Sequence, residues 1–248
     1  MGRAKEIELK VIPSKIAVPF VKKNHYSGKV CNNSQLHFGV FLDNELHGVM
    51  SYGPSLDKAN IQGLVKNTEW NEFLELNRMA FDEYLPRNSE SRAIAMSIKL
   101  IRKNAPQIKW IVSFADGTQC GDGAIYRAAN FILTAIKINE NLCRLPNGEV
   151  IHKITLQSNP DKPRPELGGK SFFDITNGVF SFKTYVNYVN GEILRGFHLR
   201  YMYFLDKSYQ KNLTVPILPF SKIDEMGAGM YKGEKISYFE RNFKTCYG

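Results

Sequence analysis

Several features that would assign a protein quickly to a class are missing from this 248-residue sequence. The four cysteines, Cys31, Cys120, Cys143 and Cys246, lie far apart and form no CxxC pair, which argues against a zinc site or a disulfide framework. No apolar run approaches the roughly 20 residues that a membrane-spanning helix requires, and the N-terminal segment has no secretory h-region. These absences predict a globular protein with reduced thiols in a cytoplasm, without a membrane partner.

The sequence also has no lysine-rich tail, no internal repeat and no low-complexity segment. Its net charge of +9, from 33 Lys and Arg against 24 Asp and Glu, is spread along the chain. A basic protein of this kind favours a polyanionic partner such as nucleic acid, but charge alone leaves other partners open.

The spacing of apolar residues predicts an α/β fold with a mixed, mostly antiparallel central sheet flanked by helices. In the first part of the chain we expect a strand at 7–12, a helix from Ser14 to about Asn24, a hairpin of Leu36–Leu42 and Leu46–Tyr52, a strand at Phe73–Phe81, the main helix at Ser91–Asn104, a central strand at Ile108–Ala115 and a short helix at Gly123–Asn130.

The later part of the chain predicts further strands at Leu133–Ile138, Arg144–Leu145, Val150–Leu156 and Gly196–Leu205. Residues 157–170 are rich in Pro, Gly and charge and predict an exposed loop, followed by an inserted hairpin of Phe172–Phe182 and Thr184–Val189. We therefore expect a catalytic domain at 1–205 with an insertion at about 157–190. Residues 206–248 would form an irregular C-terminal tail, packed on the domain or contacting DNA.

The stretch Ser113–Phe131 (SFADGTQCGDGAIYRAANF) joins the central strand to the short helix through a loop rich in glycine and acid. Asp116 lies where the strand ends, and Tyr126 lies one turn into the helix. Ligands of open α/β sheets bind at the carboxyl ends of strands. The stretch therefore predicts two proton-handling groups at one cleft, although a solvated turn acid and a packed tyrosine would give the same pattern.

Short segments resemble the GNAT acyltransferase fold at specific points. ELNRMAF (Glu75–Phe81) resembles its fourth strand, and AIYRAANF (Ala124–Phe131) resembles its tyrosine-containing signature, with Tyr126 on the conventional tyrosine. GNAT enzymes place a glycine-containing loop before the long helix to cradle the pyrophosphate of coenzyme A. Here that place holds PRNSESRA (Pro86–Ala93), without a glycine, which puts standard coenzyme A binding in doubt.

Longer segments resemble the Mom family of phage proteins. They are KNHYSGKVCNNSQLHFGVF, GVMSYGP, ELNRMAF, PRNSESRAIAMSIKLIRKNAPQIKWIVSFADGTQCGDGAIYRAANF and HLRYMYFLD, within roughly residues 20–135 and 196–206. The resemblance implies a phage-encoded transferase in the host cytoplasm that adds a carbamoylmethyl (acetamido) group to adenine N6 in DNA and so protects phage DNA from host restriction.

This resemblance implies roles for particular residues. Asp116 would accept a proton from the adenine amino group or orient the group that does, because the amino nitrogen is a poor nucleophile with a delocalised lone pair. Tyr126 would hydrogen-bond or protonate the leaving group of the donor. His25, at a helix end that favours its protonated form, and Tyr26 would face them across the cleft. Ser113 joins the catalytic set, although strand alternation puts it opposite Asp116.

Two further sets of residues suit anionic ligands. A helix N-terminus favours an anion, and the residues around that of the main helix could hold a donor phosphate or the DNA backbone: Arg87, Asn88, Ser89, Ser91 and Arg92. Phosphate contacts of DNA are expected from Lys22, Lys23, Lys29, Arg78 and Arg200, and Arg78 could instead pair with Glu75 or Asp82. The tail interleaves basic and aromatic residues that suit either stacking on bases or packing on the domain: Tyr231, Lys232, Lys235, Tyr238, Phe239, Arg241, Phe243 and Lys244.

Metal and thiol chemistry are not indicated by the sequence. His37 and His47 lie on opposite arms of the hairpin and share a face only if its loop has three residues. Cys120 lies in the central loop without a paired base, so we expect no nucleophilic role for it.

Three functions stay open at this point: DNA adenine modification, N-acyl transfer to an amine of a small molecule or protein, and DNA binding without catalysis. The donor is equally open. Acetyl-coenzyme A would transfer an acyl group through its carbonyl, whereas a carbamoylmethyl group is joined through its methylene. A glycine-derived donor, which RNA could carry, is therefore a second hypothesis. The target adenine would be flipped out of double-stranded DNA or already unpaired, because N6 is paired inside a duplex.

Overall fold

The protein is described by a computed structural model that covers residues 2–231 and 234–236. The chain divides into two compact units. The first contains the residues up to Ile136 and those from Leu199 onwards, and the second contains Lys137–His198. In the part of the chain that the structure describes, no helix combines the length and the apolar character needed to cross a membrane.

The first unit is built on a mixed sheet whose strands follow the order β1-β2-β3-β4-β5-β8-β6. β1 to β4 are joined antiparallel, and β4 and β5 are parallel. The mixed, mostly antiparallel sheet confirms the predicted fold class. The strands of the sheet and its continuation are β1 (Glu8–Val11), β2 (Leu36–Leu42), β3 (Glu45–Gly53), β4 (Phe73–Phe81), β5 (Trp110–Asp116), β6 (Ile132–Arg144), β7 (Val150–His152) and β8 (Glu192–Phe204).

Helices connect many of these strands, and two of them cover the sheet. The helices are α1 (Ser14–Asn24), α2 (Lys58–Gln62), α3 (Ser89–Asn104), α4 (Ala124–Ala128), α5 (Lys153–Ser158), α6 (Phe172–Thr176), α7 (Phe182–Tyr188) and α8 (Ser221–Glu225). Three 3-10 turns, Arg3–Glu6, Pro165–Leu167 and Lys207–Asn212, and a small ladder of β9 (Met230–Tyr231) and β10 (Glu234–Lys235) complete the described chain.

α1 and α3 pack on opposite faces of the sheet. Val21 of α1 is buried in one cluster with Val49 of β3 and Ala80 of β4. Tyr52, which follows Val49 by three residues and so faces the other side, is fully buried and shares a 2.6 Å hydrogen bond with Ser97 of α3. Both faces of β3 and β4 are therefore covered.

The hairpin of β2 and β3 closes through a two-residue turn. Leu42 pairs with Glu45, and the intervening Asp43 and Asn44 have φ of 53° and 66°. Left-handed conformations at both central positions match the twist of paired strands, and Asn and Asp tolerate them best among non-glycine residues. The turn is thus one residue shorter than the predicted loop Asp43–Glu45.

The second unit corrects the prediction of an inserted hairpin. Phe172–Phe182 and Thr184–Val189 contribute the helices α6 and α7 instead of two strands. Ser171 and Asp174 form a reciprocal capping box at the start of α6, and the Ser181 hydroxyl accepts from the backbone of Thr184 at the start of α7. These caps stabilise helix starts within apolar runs that fit a strand equally well.

Other boundaries also differ from the prediction. β6 is continuous over Ile132–Arg144, where the sequence predicted two separate strands, and β7 ends at His152 before α5 begins. α3 begins at Ser89, two residues before its predicted start. The predicted strand Phe73–Phe81 is confirmed at both ends.

The described part of the C-terminal tail packs on the first unit. Tyr209, Leu213 and Val215 lie against the buried cluster that contains Trp110 of β5, and Leu213 forms a β-bridge to Val65. The tail residues Lys232, Tyr238, Phe239, Arg241, Phe243 and Lys244, which the sequence suggested for nucleic-acid contacts, lie outside the described residues.

Candidate active site

The candidate site lies where β4 and β5 part. The two parallel strands pair from Phe73 with Trp110 to Leu76 with Ser113, and the Ser113 hydroxyl donates to the Leu76 carbonyl at 2.9 Å. Beyond this last pair, β4 continues to Phe81 and β5 to Asp116. A gap at the carboxyl ends of two parallel strands is a usual position for a ligand in an open α/β sheet.

A β-bulge at Asn77 decides which side chains of β4 face this gap. Glu75 pairs with Gly53 and Arg78 pairs with Ser51, with a register shift between Ser51 and Tyr52. Since Ser51 and Gly53 are two residues apart, Glu75 and Arg78 share one face although three residues separate them. Without the extra residue, Arg78 would point to the α3 side.

The same face of β5 presents Asp116. Glu75 pairs with Val112, so Val112, Phe114 and Asp116 alternate onto the face of Glu75 and Arg78. Asp116 is half-buried, and its Oδ1 accepts a hydrogen bond from the backbone N–H of Thr118 at 3.0 Å. A carboxylate and a guanidinium thus flank the gap on its α1 side.

His25 closes α1 and does not have the charge that the sequence predicted. Its Nδ1 accepts from the backbone N–H of Ser27 at 3.2 Å, which leaves the ring proton on Nε2 in the neutral form. Burial and the nearby Arg78 charge lower the pKa of His25 to about 4. The prediction of a protonated histidine is therefore wrong, because desolvation outweighs the effect of the helix end.

Tyr26 extends from α1 toward Asp116. Its ring lies 4.2 Å from the His25 ring, and half of the residue is exposed. Burial of the hydroxyl and the Asp116 carboxylate raise the pKa of Tyr26, while Arg78 opposes this shift. The structure thus brings His25, Tyr26, Arg78 and Asp116 together from three distant segments.

Tyr126 reaches the gap from the other face of the sheet. It is buried, and its ring lies 5.2 Å from that of Tyr201 on β8. Burial raises the pKa of Tyr126, a hydrogen bond with Ser113 opposes the shift, and Cys120, Tyr201 and Glu75 raise it further. Tyr126 therefore stays protonated at neutral pH and can donate a hydrogen bond or a proton into the gap.

Ser113 supports Tyr126 and not Asp116. It is fully buried, on the face opposite to Phe114 and Asp116 as alternation requires. Its hydroxyl lies between the Leu76 carbonyl and the Tyr126 hydroxyl.

Comparison with known proteins now decides the family. A model of the Mom protein family matches residues 6–222, which include every group described at the gap. The chain belongs to the Mom family. The Methylcarbamoylase mom of Escherichia phage Mu is 38% identical over 156 residues, which make up 62% of this chain and 64% of that protein. The chain thus matches slightly less than two thirds of the length of its relative.

Similar solved structures are acetyltransferases at low identity. A Bacillus subtilis acetyltransferase in complex with CoA is 11% identical with a TM-score of 0.40, covering 80% of this chain and 97% of the other. A GNAT family acetyltransferase from Elizabethkingia anophelis with acetyl-CoA bound is 13% identical with a TM-score of 0.39, covering 80% and 98%.

The start of α3 in this Mom-family chain is only partly available to an anion. Arg87 and Asn88 are exposed, and Asn88 adopts a left-handed φ of 71°. The Ser89 hydroxyl is buried and donates to the Pro86 carbonyl at 2.6 Å. The Ser91 hydroxyl donates to the Asn88 carbonyl, and Arg92 donates to the Lys5 carbonyl at 3.3 Å. The two guanidiniums are thus better placed for an anion than the two hydroxyls.

The cations proposed for DNA fall into two groups. Lys22, Lys23 and Lys29 are exposed around the end of α1. Arg78 donates to the carbonyls of Lys29 and Asn77, not to Glu75 or Asp82, and so lies in the gap. Arg200 is half-buried and donates to both the side chain and the carbonyl of Thr134, so its guanidinium is already engaged within the protein.

The two histidines of the hairpin, His37 and His47, each contact a different side chain. His37 Nδ1 lies 2.8 Å from the Ser51 hydroxyl, and His47 Nδ1 lies 2.9 Å from the Asp82 carboxylate. Among the residues that the structure describes, no group of three His, Cys, Asp or Glu side chains is arranged to hold a metal ion. Partial desolvation and the nearby Asp116 raise the pKa of the Cys120 thiol, which disfavours the reactive thiolate.

Sequence reasoning missed Glu75 as a member of the site. Burial raises the pKa of Glu75, and the Arg78 charge opposes this shift. Only the register across β3 and β4 brings it to the face of Arg78 and Asp116, and that register depends on the bulge. A single sequence carries no signal for such a bulge.

Proposed function

We propose that this Mom-family protein transfers a carbamoylmethyl group to the N6 amino group of adenine in phage DNA, and so protects that DNA from restriction in the host cytoplasm. The observation that carries the proposal is the meeting of Tyr26, Asp116 and Tyr126 at the gap between β4 and β5. Membership of the Mom family and the name of the phage Mu relative support it.

Asp116 would act on the acceptor side of the reaction. A bond forms between adenine N6 and the methylene carbon of the donor, while N6 loses one proton. The Asp116 carboxylate is half-buried at the rim of the gap, on the same face as Tyr26 and Arg78, and can take that proton. The neutral His25 beside Tyr26 can donate a hydrogen bond from Nε2 to a base or a sugar.

Tyr126 would act on the donor side. The bond between the methylene carbon and its leaving group breaks as the new bond forms, and the leaving group takes up negative charge. A buried phenol that stays protonated at neutral pH can stabilise that charge by a hydrogen bond or by proton transfer. Ser113 would hold the phenol in place through its own bond to the Leu76 carbonyl.

The donor follows from the group that is transferred. A carbamoylmethyl group joined through its methylene requires an electrophilic methylene carbon, whereas acetyl-coenzyme A offers an electrophilic carbonyl. An acetamide with a leaving group on its methylene would meet this requirement directly. A glycine-derived donor, free or carried on RNA, contains both carbons and the nitrogen of the group but is activated at its carbonyl, so a rearrangement would have to follow its transfer. Arg87 and Arg92 at the start of α3 would meet a phosphate of the donor. Acetyl-coenzyme A would not fit, because an acetyl group lacks the nitrogen of the carbamoylmethyl group.

DNA would approach along the exposed end of α1. Lys22, Lys23 and Lys29 are exposed there and would contact phosphates. The N6 group of a paired adenine is engaged inside the duplex, so the target base would have to be flipped out of double-stranded DNA before it reached Asp116.

Expression in bacteria tests the proposal directly. Digested DNA from cells that make the wild-type protein should contain a deoxyadenosine heavier by the mass of a carbamoylmethyl group. Asp116→Asn and Tyr126→Phe should each lower its amount by about 100-fold or more with unchanged thermal stability. Tyr209→Phe, at a tyrosine bonded to Glu72 before the start of β4, is the matched control and should stay at the wild-type level. Unmodified adenine in cells with soluble wild-type protein would refute the proposal, and an acetyl increment would point to ordinary acyl transfer.

A further inference from the structure

Phe114 is an exposed aromatic residue on a central strand. Its strand β5 lies between β4 and β8, and its neighbours Ser113 and Ala115 are 0% and 6% exposed. Phe114 itself is 40% exposed. Side chains on a central strand are normally covered by a helix. Because Phe114 is exposed, this part of the sheet face is open.

The groups around the Phe114 ring are those of the proposed chemistry. Arg78 and Asp116 share its face of the sheet, by the registers of β3, β4 and β5. The Tyr26 hydroxyl is within electrostatic range of both Asp116 and Arg78. Phe114 is therefore an exposed apolar side chain on the face of the sheet that also carries a carboxylate and a guanidinium.

We propose that Phe114 is the platform on which the flipped purine base stacks while its N6 group faces Asp116. This inference rests on the proposed function and names the part of the substrate that the site recognises. Every base offers a π-face, and base–aromatic stacking is a common anchor for unpaired nucleotides. Residues two apart on a strand are about 6.6 Å apart, so a base over Phe114 brings its exocyclic edge close to Asp116.

This arrangement also discriminates between bases. Adenine presents an amino donor at N6, whereas guanine and thymine present carbonyl oxygens at the equivalent positions. A carboxylate accepts from the amino group and repels the carbonyl. Stacking on Phe114 would thus hold the base, and Asp116 would select for an amino group.

Two substitutions separate aromatic stacking from simple bulk. Phe114→Leu keeps an apolar side chain but removes the π-face, and Phe114→Trp keeps the π-face. In cells, Phe114→Leu should lower the modified deoxyadenosine about tenfold or more, and Phe114→Trp should stay within about threefold of wild type. Trp70→Leu is the matched control: Trp70 is 51% exposed and precedes β4, at the end of the parallel pair away from the gap. It should stay at the wild-type level.

A binding measurement tests the platform without the donor. Fluorescence anisotropy measures the affinity for two single-stranded oligothymidines. One contains a single central adenine, and the other has an abasic site at that position. The ratio of the two affinities is the preference for the base. Wild type should prefer the adenine strand, Phe114→Trp should keep the preference, and Phe114→Leu should lose it with unchanged thermal stability.

The outcomes distinguish this inference from the proposed function. Wild-type levels of modification and base preference in Phe114→Leu would overturn the platform even if adenine modification is observed. Equal losses in Phe114→Leu and Phe114→Trp would also overturn it, because stacking would then not be the reason. If wild type modifies no adenine but Phe114→Leu still loses the base preference, the proposed reaction fails and the platform stands.

Discussion

Arg127 donates to the Asp122 carboxylate at 3.1 Å, within the segment that carries both Asp116 and Tyr126. The Asp122 side chain is 4% exposed, and Arg127 also donates to the Asp122 carbonyl and to the Tyr201 hydroxyl. The backbone N–H of Asp122 in turn donates to the Met230 carbonyl at 3.1 Å. The pair therefore fixes the loop after β5 to α4, to β8 and to the described part of the tail.

Removing the Arg127 charge should destabilise the first unit. Arg127→Met leaves the buried Asp122 carboxylate without its partner, which costs about 3 kcal/mol or more of unfolding free energy. The double variant Asp122→Asn/Arg127→Met removes both charges and should regain part of that loss. Chemical denaturation measures each value. Arg195→Met, which breaks an exposed ion pair with Glu140, is the control and should change the unfolding free energy little. Equal effects of Arg127→Met and Arg195→Met would contradict the role of the buried pair.

The low pKa of His25 makes the fold sensitive to acid. The unfolded chain takes up a proton at the usual pKa of 6.5, but the folded chain does so only at about 4. The unfolded state therefore binds more protons as pH falls from about 6.5 toward 4, and stability decreases over that range. The His25→Gln variant should lose less stability than wild type between pH 7 and pH 5, as measured by denaturation at each pH. The same pH dependence in both proteins would count against a buried neutral histidine.

Gly123 cannot carry a side chain. Its φ is +82°, and an added Cβ would overlap the Tyr201 ring. Gly123→Ala combines left-handed strain of about 1–3 kcal/mol with a steric clash and should lower the melting temperature strongly. Gly227→Ala is the matched control, because its φ is +62° but its surroundings are open. Its melting temperature should fall less, because only the backbone strain is introduced and no steric clash. Equal melting temperatures for the two variants would contradict the close approach of Tyr201.

The three lysines near α1 should determine the salt dependence of DNA binding. The triple substitution of Lys22, Lys23 and Lys29 by Gln should weaken duplex binding and flatten its dependence on salt, by about 0.9 in log–log slope for each phosphate that a lysine no longer neutralises. Filter binding over a salt series measures this slope. The same number of exposed lysines replaced elsewhere, at Lys99, Lys103 and Lys211, should leave the slope unchanged. If the slope changed equally in both triple variants, DNA binding would depend on the net charge of the protein and not on the lysines near α1.

Secondary structure could be predicted from the sequence where a local residue pattern determines it. β4 alternates apolar and polar residues and was predicted at both ends, and the short segment from Asp116 to Tyr126 was predicted as strand, loop and helix. α6 and α7 were predicted as strands because Phe172, Phe173 and Phe180 form short apolar runs that fit either state. The caps at Ser171 and Ser181 decide between them.

The parts of the site that the sequence did not yield depend on contacts between distant segments. The charge of His25 was mispredicted because the helix end is a local feature, whereas its burial beside Arg78 is not. Glu75 and Arg78 are three residues apart and would face opposite ways in a regular strand. Their common face requires the bulge at Asn77, which exists only in the pairing of β3 with β4.

β4 and β5 part after Leu76 and Ser113, and Asp116 and Tyr126 lie beside this gap on opposite faces of the sheet. If Asp116 acts on the acceptor and Tyr126 on the donor, the two reactants would be bound at the same time, and neither would have to leave before the other arrives. Such an arrangement favours a ternary complex and direct transfer, so initial rates should follow a sequential rate law. A ping-pong pattern would require a covalent carrier on the protein, which simultaneous binding of both reactants makes unnecessary.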